Sequence, residues 1–412
     1  MKKSLAFALL LLSTSQAQNI RQLGMGGVLL PEQDVAYHNP AFYGFERYDV
    51  DTSYAFPLGA LQAYRMSQQS NSGTTDLLMF DKVFHPLEWS FAVGHENVIP
   101  NDGSANARFF TWADGWNASQ HNHTLIPFDL AFSVAPSWYL DVTPSIRAYV
   151  GDLKFSDNYR EVPEGGKLKP NQVYTGAFEG GYRSSIDAGV SYLPVLSEEQ
   201  DMKLYGGVRN RFSLGLLRVQ GSVQDRTVTD INGDRVDALS SSKAELFANV
   251  DPYRPGFGVH LDAGLMANMK DFTFGVGVRN LLQYEAWQGS RSVTEGNKTT
   301  TSHATFVEPI FAPEVLLNAA YELPSGDSKW ILGADTAFGV NQDLALHVGA
   351  EYQNGSMQYR AGVGYEKGLQ IGVGLGADLG DHFKVDLALT GHQAVITRQF
   401  VVGVAVGAKI KF

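Results

Sequence analysis

The C-terminal end of the chain alternates strictly between two kinds of side chain. One face of the extended segment holds Val402, Val404, Val406, Ala408, Ile410 and Phe412, and the other holds Gly403, Ala405, Gly407, Lys409 and Lys411. Successive side chains of a strand point to opposite faces, so one face here suits lipid and the other suits a lumen. The pattern predicts a wall strand of a membrane β-barrel.

The same alternation recurs along the chain. The runs at residues 344–352, 357–365 and 369–377 are about 9–11 residues long, the length a tilted strand needs to cross a bilayer. Clear runs cover residues 257–267, 272–278, 315–321, 330–334, 344–352, 357–365, 369–377 and 383–389, and weaker runs cover 48–56, 87–93, 128–134, 146–150, 186–192 and 204–208. Together they predict roughly 12 to 16 strands. A soluble β-sandwich also alternates, so the connections have to decide between the two folds.

The predicted connections sort by length along the chain. Counted back from the C-terminus, alternate connections are short, at residues 379–381, 353–356, 323–329 and 269–271. The opposite set contains the long ones, at residues 96–126, 153–181, 220–255 and 281–312. An outer-membrane barrel has short periplasmic turns and long outer loops, whereas a sandwich has no reason to sort them. The sequence therefore predicts an all-β fold, a transmembrane antiparallel β-barrel.

Composition excludes several classes of function. With a mean hydropathy of −0.14, no run beyond the N-terminus is apolar enough for a membrane helix. The chain has no Cys, which excludes disulfides, Cys-ligated zinc and a thiol nucleophile. Its formal charge of −11 argues against nucleic acid as a partner.

The N-terminus has the features of a secretory signal peptide. Lys2 and Lys3 precede an apolar run at residues 5–12, and Ser15 and Ala17 occupy the −3 and −1 positions of a cleavage site. We expect cleavage after Ala17 and export to the outer membrane of a diderm bacterium. The terminal aromatic Phe412, with Ile410, is the expected signal to the barrel-assembly machinery; that machinery and outer-membrane lipid are the expected partners.

Residues 18–47 fit neither a strand nor a loop. Gly24, Gly26 and Gly27 permit close backbone approach or positive φ, and after Asp34 the pair Asn39-Pro40, followed by Ala41, signals a turn. The glycines lack the Lys and Ser/Thr of a phosphate-binding loop. We expect a compact segment packed against something larger, which gives three predicted units: signal peptide 1–17, N-terminal segment 18–47 and barrel 48–412.

This segment resembles the N-terminal hatch of the FadL-like superfamily of outer-membrane barrels. Downstream, residues 275–281, 319–323, 332–335, 348–352, 360–364 and 372–376 resemble its TraF-like and PorV-like branch. The resemblance implies about 14 strands and a lumen plugged by the N-terminal segment, with the Asn-Pro-Ala turn inside. FadL-like transporters pass a hydrophobic ligand from outside to the hatch and out through a gap in the wall, whereas PorV-like proteins serve protein secretion. No ligand-binding residue can be carried over, because the middle of the chain departs from the motifs.

Chemical motifs are few, and we predict no enzyme activity, no cofactor and no metal site. His121 and His123 have metal-compatible spacing but no nearby third ligand, and they are interpreted as part of a solvated loop. Asp230, Asn232 and Asp234 are similar to a calcium loop, but an EF-hand needs Gly at position 235, which is Arg. A β-hairpin closed by Asn232-Gly233 is the better interpretation. No Gly-x-Ser-x-Gly motif supports a hydrolase.

Three functions remain open. A transporter of a hydrophobic, fatty-acid-like molecule requires an apolar path and a movable hatch. A partner of an envelope protein in secretion or in a surface layer requires a closed lumen and large outer loops with aromatics such as Phe109, Phe110, Trp112 and Trp116. A passive porin requires a water-filled lumen without a plug. The small and polar inner face of the terminal strand counts against a greasy tunnel along that wall.

Overall fold

The computed structural model describes residues 20–31, 37–44, 52–69, 74–76, 78, 81–82, 85–93, 98–100, 121–125, 130–150, 154–156, 158, 168–251, 253–340, 342–366, 368–380, 382–394 and 399–410. The predicted signal peptide, Asp34, Phe412 and the four aromatics at positions 109–116 lie outside these residues.

The secondary structure is dominated by strands. The helical segments are α1 (Ile20–Gly24), a 3-10 helix (Pro40–Gly44) and α2 (Leu58–Gln69). The strands are β1 (Thr52–Ala55), β2 (Thr74–Asp76), β3 (Trp89–Ala92), β4 (Val98–Pro100), β5 (His121–Leu125), β6 (Leu130–Ala135), β7 (Trp138–Val150), β8 (Lys154–Phe155), β9 (Val173–Tyr192), β10 (Val195–Glu199), β11 (Met202–Val228), β12 (Ser241–Asn249), β13 (Gly256–Met269), β14 (Phe272–Glu295), β15 (Lys298–Val307), β16 (Glu314–Ser325), β17 (Ser328–Gly339), β18 (Ala345–Asn354), β19 (Met357–Glu366), β20 (Leu369–Asp378), β21 (Phe383–Gln393) and β22 (Phe400–Ile410). Within the described residues, no helix has the length and apolar character needed to cross a membrane.

The strands close into a barrel. Twenty of them form one sheet, in which β9 pairs with β11 and the last strand, β22, pairs with both β1 and β3. In six cases, two strands lie end to end and share one position in the wall. These pairs are β1 and β3, β5 and β6, β7 and β8, β9 and β10, β12 and β13, and β15 and β16. Among the described residues the wall therefore has 14 strand positions, the number that the resemblance implied.

The two faces of the wall differ as the alternation predicted. In β20 the side chains of Leu369, Ile371, Val373 and Leu375 are exposed on the outside, while Gly372 and Gly374 between them are buried. In β22, Val402 points outward and Gly403 inward. An outer face of exposed aliphatic side chains on a closed antiparallel sheet is the surface that a bilayer covers. The protein is an outer-membrane-type β-barrel.

The predicted short turns are present at one end of the barrel. Asn354 pairs with Met357 around Gly355, whose φ of 58° favours a residue without a Cβ atom. Ser325 pairs with Ser328, and Met269 pairs with Phe272, so these hairpins also close through two residues.

All four predicted long loops are wrong in extent. Residues 96–126 contain β4 and β5, so His121 and His123 belong to a strand that pairs with β7 and not to the loop we expected. Residues 153–181, 220–255 and 281–312 contain the start of β9, the outer end of β11 with β12, and the outer end of β14 with β15. The outermost parts of β11 and β14, residues 220–228 and 288–295, are mostly polar, so no apolar alternation marks them in the sequence. Cross-strand pairs hold them instead, as between Arg291 and Glu245 at 2.7 Å and between the hydroxyls of Thr294 and Thr299 at 3.0 Å.

The first wall position is interrupted. β1 and β3 pair with the same edge of β22, at Ala55–Gly407 and Trp89–Val404, so residues 57–88 form an insertion between them. Helix α2 starts this inserted segment. On the side of β3 that faces away from β22, the backbone N–H and C=O of Ser90 bond the side-chain amide of Gln62, at 2.9 and 2.7 Å. A helix side chain thus satisfies backbone groups that a neighbouring strand would otherwise pair.

Candidate functional site

The N-terminal segment lies against the inner wall at two places. Helix α1 contacts β19 to β22, and the 3-10 helix contacts β11 and β13. Ile20 and Leu23 pack with Ala388 and Ala405 of the wall and with Leu87 of the inserted segment. The N-terminal segment and the inserted segment therefore both lie in the space enclosed by the barrel.

A row of glycines across four strands makes room for the first contact. Gly333, Gly349, Gly362 and Gly372 lie opposite one another on β17 to β20. A methyl group on Gly349 would lie 2.7 Å from the carbonyl oxygen of Met25, and one on Gly362 or Gly372 would overlap the carbonyl oxygen of Met25 or Leu23. The wall is thus shaped to accept the backbone of residues 23–30.

A second glycine row holds the Asn-Pro-Ala turn. Gly207, Gly264 and Gly277 lie opposite one another on β11, β13 and β14. A methyl group on Gly207 would lie 2.5 Å from the backbone nitrogen of Ala41, and one on Gly264 would overlap the side chain of Asn39. The turn fits because three consecutive strands lack side chains beneath it.

Asn39 ties this turn together. Its side-chain oxygen accepts the N–H of Ala41 at 3.0 Å, and its amide donates to the carbonyl of Leu265 at 3.0 Å. Both polar groups of the buried Asn39 side chain are therefore bonded to backbone atoms. The expected positive φ is also found, at 70° for Gly26 and 99° for Gly27.

The backbone N–H and carbonyl of Leu29 are both hydrogen-bonded to side chains of the wall. Its N–H donates to Asp335 at 2.6 Å, and its carbonyl accepts from Asn318 at 3.2 Å. Nearer the start of the segment, Arg21 donates two hydrogen bonds to Glu351, at 2.7 and 2.9 Å. Glu351 also accepts from Arg360 at 2.5 Å, so a barrel carboxylate is shared between the segment and the wall.

Tyr37 lies among three arginines. Its ring centroid is 3.8 Å from the guanidinium carbon of Arg279, 5.5 Å from that of Arg209 and 5.7 Å from that of Arg211. Cations at these distances from an aromatic face are attracted to it, most strongly where water is excluded, and Tyr37 is buried. Sequence reasoning missed Tyr37. Its only local signal is that an aromatic residue stands two positions before Asn39-Pro40.

The arginines belong to a network of buried ion pairs on the inner faces of β7, β9, β11, β13, β14 and β16. Arg209 pairs with Asp141, and Arg211 bonds Asp187 at 2.7 Å and Asp262 at 2.6 Å. The other pairs are Arg183–Glu285, Arg147–Glu314, Arg279–Glu314 and Arg218–Glu308. This side of the lumen is therefore polar and cross-linked, and no sequence pattern indicated which charges would meet.

His38 is held neutral beside this network. Burial lowers its pKa from the ordinary 6.5 to about 3, and the positive charge of Arg279 contributes in the same direction. Glu314 and Asp262 oppose the shift, while Arg211 adds to it. The turn thus places an uncharged imidazole next to fixed charges.

Glu88 ends the inserted segment and faces the wall. Burial alone would raise its pKa, but the charge and hydrogen bonding of His392, with His85 and the hydroxyl of Thr390, lower the pKa to about 2. Thr390 donates to Glu88 at 2.8 Å. The inserted segment is therefore anchored to β21 by an ionised carboxylate.

The predicted site residues have the following places. Gly24, Gly26, Gly27, Asn39, Pro40 and Ala41 all lie against the inner wall, Gly24 directly opposite Gly374. The backbone of Ile410 pairs with both Phe383 and Thr52. His121 and His123 are in β5, and their side chains are outside the described part. Asp230 accepts the N–H groups of Asn232 and Asp234, and Gly233 has a φ of 84°. A turn is therefore present, but it runs from Asp230 to Gly233 and is flanked by a single bridge between Thr229 and Arg235, not by the two strands of the predicted hairpin.

Comparisons with known proteins give structural likeness alone. No protein family and no curated protein matches the chain. Similar solved structures include the toluene transporter TbuX of Ralstonia pickettii, with 11% identity, 96% of this chain and 99% of that chain covered and a TM-score of 0.44. The toluene transporter TodX of Pseudomonas putida has 10% identity, 97% and 98% coverage and a TM-score of 0.46. A FadL homologue of Pseudomonas aeruginosa has 10% identity, 96% and 97% coverage and a TM-score of 0.41.

With TM-scores below 0.5, these likenesses assign no ligand to this chain. They are likenesses to transporters of the FadL type, and the TraF-like and PorV-like branch stays a prediction.

Proposed function

We propose that this protein takes up a hydrophobic small molecule across the outer membrane and that residues 18–47 are its hatch. The observation that carries the proposal is the pair of glycine rows, which remove side chains from the inner wall where the N-terminal segment lies. Glycine is costly in a strand interior, so seven aligned glycines are best explained by the segment they accommodate.

The lumen chemistry favours a route that leaves through the wall. Ion pairs cross one side of the enclosed space. An apolar molecule passing there would separate these buried charges without replacing their partners, which costs free energy. The interrupted first wall position offers an alternative, since the edge of β3 at Ser90 is closed by Gln62, a side chain that can rotate away. We therefore place the exit beside α2, between the hatch and the membrane.

Conductance and uptake measured on the same preparation test the proposal. Liposomes containing the full-length protein should accumulate a labelled long-chain fatty acid or toluene, while planar bilayers should show no large steady current. Replacing Gly26 and Gly27 by Val should abolish uptake, because both have positive φ and a Cβ atom on Gly26 would overlap the backbone of Gly362. The control is Gly221→Ala, where the nearest atom would be 3.5 Å away. Large currents without uptake would instead indicate a porin.

A second candidate, a partner in protein secretion or in a surface layer, is favoured by the length of the outer strands. β11 spans 27 residues and β14 spans 24, against the roughly 10 that cross a bilayer. Their outer ends, with β12 and β15, project a polar sheet beyond the membrane. Deleting residues 229–240 should leave uptake intact if the protein is a transporter. A secretion or surface defect, with no uptake by the intact protein, would favour the partner role.

A further inference from the structure

The outer ends of β9, β11 and β14 form one sheet with β12 and β15, here called the outer sheet. Its strand order is β9, β11, β12, β14 and β15. The edge at β9 is closed, since β8 pairs with it and the side-chain amide of Asn158 donates to the carbonyl of Val173 at 2.8 Å. At the opposite edge, β15 pairs with β14 alone among the described residues. The outer sheet therefore has one closed edge and one open edge.

The strand at the open edge has none of the usual protective features. β15 (Lys298–Val307) is ten residues long, contains no Pro and pairs with β14 without a register shift. Edge strands are usually short, bulged or guarded by Pro or Lys, because unpaired backbone groups recruit other strands. Here the single Lys stands at the tip, and residues 299–307 include four Thr and a Val, which favour strands. β15 thus has the features of a strand that is paired on both sides.

Half of the backbone groups of β15 point towards the open edge. The N–H of Glu308 donates to the carbonyl of Glu285 at 2.9 Å, and hydrogen-bonded pairs alternate along an antiparallel ladder. Bonds to β14 are therefore made by residues 298, 300, 302, 304 and 306. The N–H and C=O groups that point away from β14 belong to Thr299, Thr301, His303, Thr305 and Val307. They form one row of alternating donors and acceptors.

A groove of about 390 Å³ lies beside this row. His303 and Thr305 of β15 line it, so it opens on the face of the sheet to which these side chains project. Arg254 and Asp251 also line it; they are exposed and 3.9 Å apart, a spacing at which an ion pair is weak. When a strand is added to a sheet edge, the backbone gives affinity and pockets for alternate side chains give specificity. The open edge of β15 offers both.

A second copy of this barrel does not suit the open edge. β15 runs from the tip of the outer sheet towards the membrane, because β16 follows it into the wall. Two barrels in one membrane therefore present this strand in the same direction. Antiparallel pairing, the more stable arrangement, would need one of the barrels inverted. A separate extended segment can bind in either direction.

We propose that the open edge of β15 binds an extended polypeptide segment of another exported protein, which adds to the outer sheet as an antiparallel strand. Residues 299–307 contain no Asp, Glu, Lys or Arg, so the matching segment is uncharged and rich in β-branched residues. A side chain of the added strand enters the groove beside His303 and Thr305. The inference is independent of what the barrel carries.

Peptide binding to the purified full-length barrel in detergent tests the proposal. The probe is a fluorescein-labelled synthetic copy of residues 298–307, which has the required β-branched residues and, unlike a second barrel, can bind in either direction. Fluorescence anisotropy should show saturable binding of one peptide per chain. N-methylation of alternate residues should weaken binding at least ~10-fold in one of the two alternate sets and leave it nearly unchanged in the other, because only one set faces β15.

Thr301→Pro is the matching change in the barrel. It removes an N–H of the open edge but none of the bonds to β14, and it should weaken binding at least ~10-fold. The matched control is Thr301→Val, which keeps this N–H and should bind like the unmodified protein. Each variant is first checked for the gel mobility shift on heating that marks a folded barrel, and Thr305→Pro replaces Thr301→Pro if that variant fails the check.

Three results would overturn the proposal: no saturable binding by the intact barrel, equal effects of the two N-methylated sets, or unchanged binding by Thr301→Pro. The first would mean that the edge is already covered, and the other two would mean that the peptide adheres without pairing. A barrel dimer in detergent that is lost in Thr301→Pro would make a second copy the occupant and would also overturn it.

Discussion

The guanidinium of Arg279 lies 3.8 Å from the ring centroid of Tyr37 and donates a hydrogen bond to its hydroxyl at 2.5 Å. Arg279 belongs to β14 and Tyr37 to the N-terminal segment, so one side chain of the wall holds the segment in two ways. Arg279 also pairs with Glu314 at 3.3 Å, which connects the segment to the ion pairs of the lumen.

Removing the Tyr37 ring should release the segment more than removing its hydroxyl. Tyr37→Phe loses one hydrogen bond, worth about 0.5–1.5 kcal/mol, whereas Tyr37→Leu also loses cation–π attraction of up to about 2 kcal/mol. Because the chain has no native cysteine, a single Leu29→Cys reports release through its rate of maleimide labelling. The control is Tyr359→Leu on the exposed outer face. Equal labelling rates for the two Tyr37 variants would contradict the cation–π contribution.

A methyl group on a glycine of either row should displace the segment without unfolding the barrel. Gly277→Ala and Gly362→Ala introduce overlap costing about 1–3 kcal/mol, and we expect faster labelling at position 29. The heat-dependent gel shift should be unchanged, since the closed strand network carries the barrel's stability. Gly221→Ala should behave like the unmodified protein. Slow labelling in all three variants would mean that the rows do not seat the segment.

Breaking the Arg209–Asp141 pair should destabilise the barrel itself. Both side chains are completely buried, so Arg209→Met removes the guanidinium that balances the buried Asp141 carboxylate and should cost about 3–5 kcal/mol. The double variant Arg209→Met/Asp141→Leu should recover much of this loss. Urea unfolding in lipid vesicles measures both. The exposed Arg291–Glu245 pair is the control, and its removal should change little. A double variant as unstable as the single would show that the pair contributes more than charge balance.

Acid should loosen the N-terminal segment through His38. Its pKa is about 3 when bound and near 6.5 when free, so between these values the released state binds more protons. The seating should therefore be fully stable above pH 6.5 and weaken progressively as the pH falls towards 3. A spin label at position 29 should become more mobile at pH 5 than at pH 7.5, and His38→Gln should flatten this difference. Arg279, Arg211, Glu314 and Asp262 are the charged groups around His38, and a pH response persisting in His38→Gln would assign it to them instead.

The sequence predicted most of the wall but little of its interior. Runs such as residues 369–377 were found because every second residue meets lipid, which permits only apolar side chains. The outer ends of β11 and β14 were missed because water surrounds both their faces and no alternation is imposed. The two predicted runs at 48–56 and 87–93 proved to share one wall position, a relation that only the pairing with β22 defines.

The site was predictable where the backbone is constrained. Gly26, Gly27 and Asn39 stood out because positive φ and a turn before Pro limit the choice of residue. Tyr37, Arg209 and Glu88 did not, because their partners are distant in the sequence and the two-residue period of a strand does not show which inner-face charges meet across strands. The wall motifs at 348–352 and 372–376 now have a physical cause, since Gly349 and Gly372 lie under the N-terminal segment.

The interruption of the first wall position also restricts the order in which this molecule can be built. The final strand, β22, must receive β1 along one part of its edge and β3 along the next, and these partners are separated by the inserted segment. Leu87, near the end of that segment, packs against the N-terminal helix on the inner side of the wall. We therefore expect the contents of the barrel to be in place before its seam is sealed, because a chain that closed too early would leave its own insertion on the wrong side of the wall.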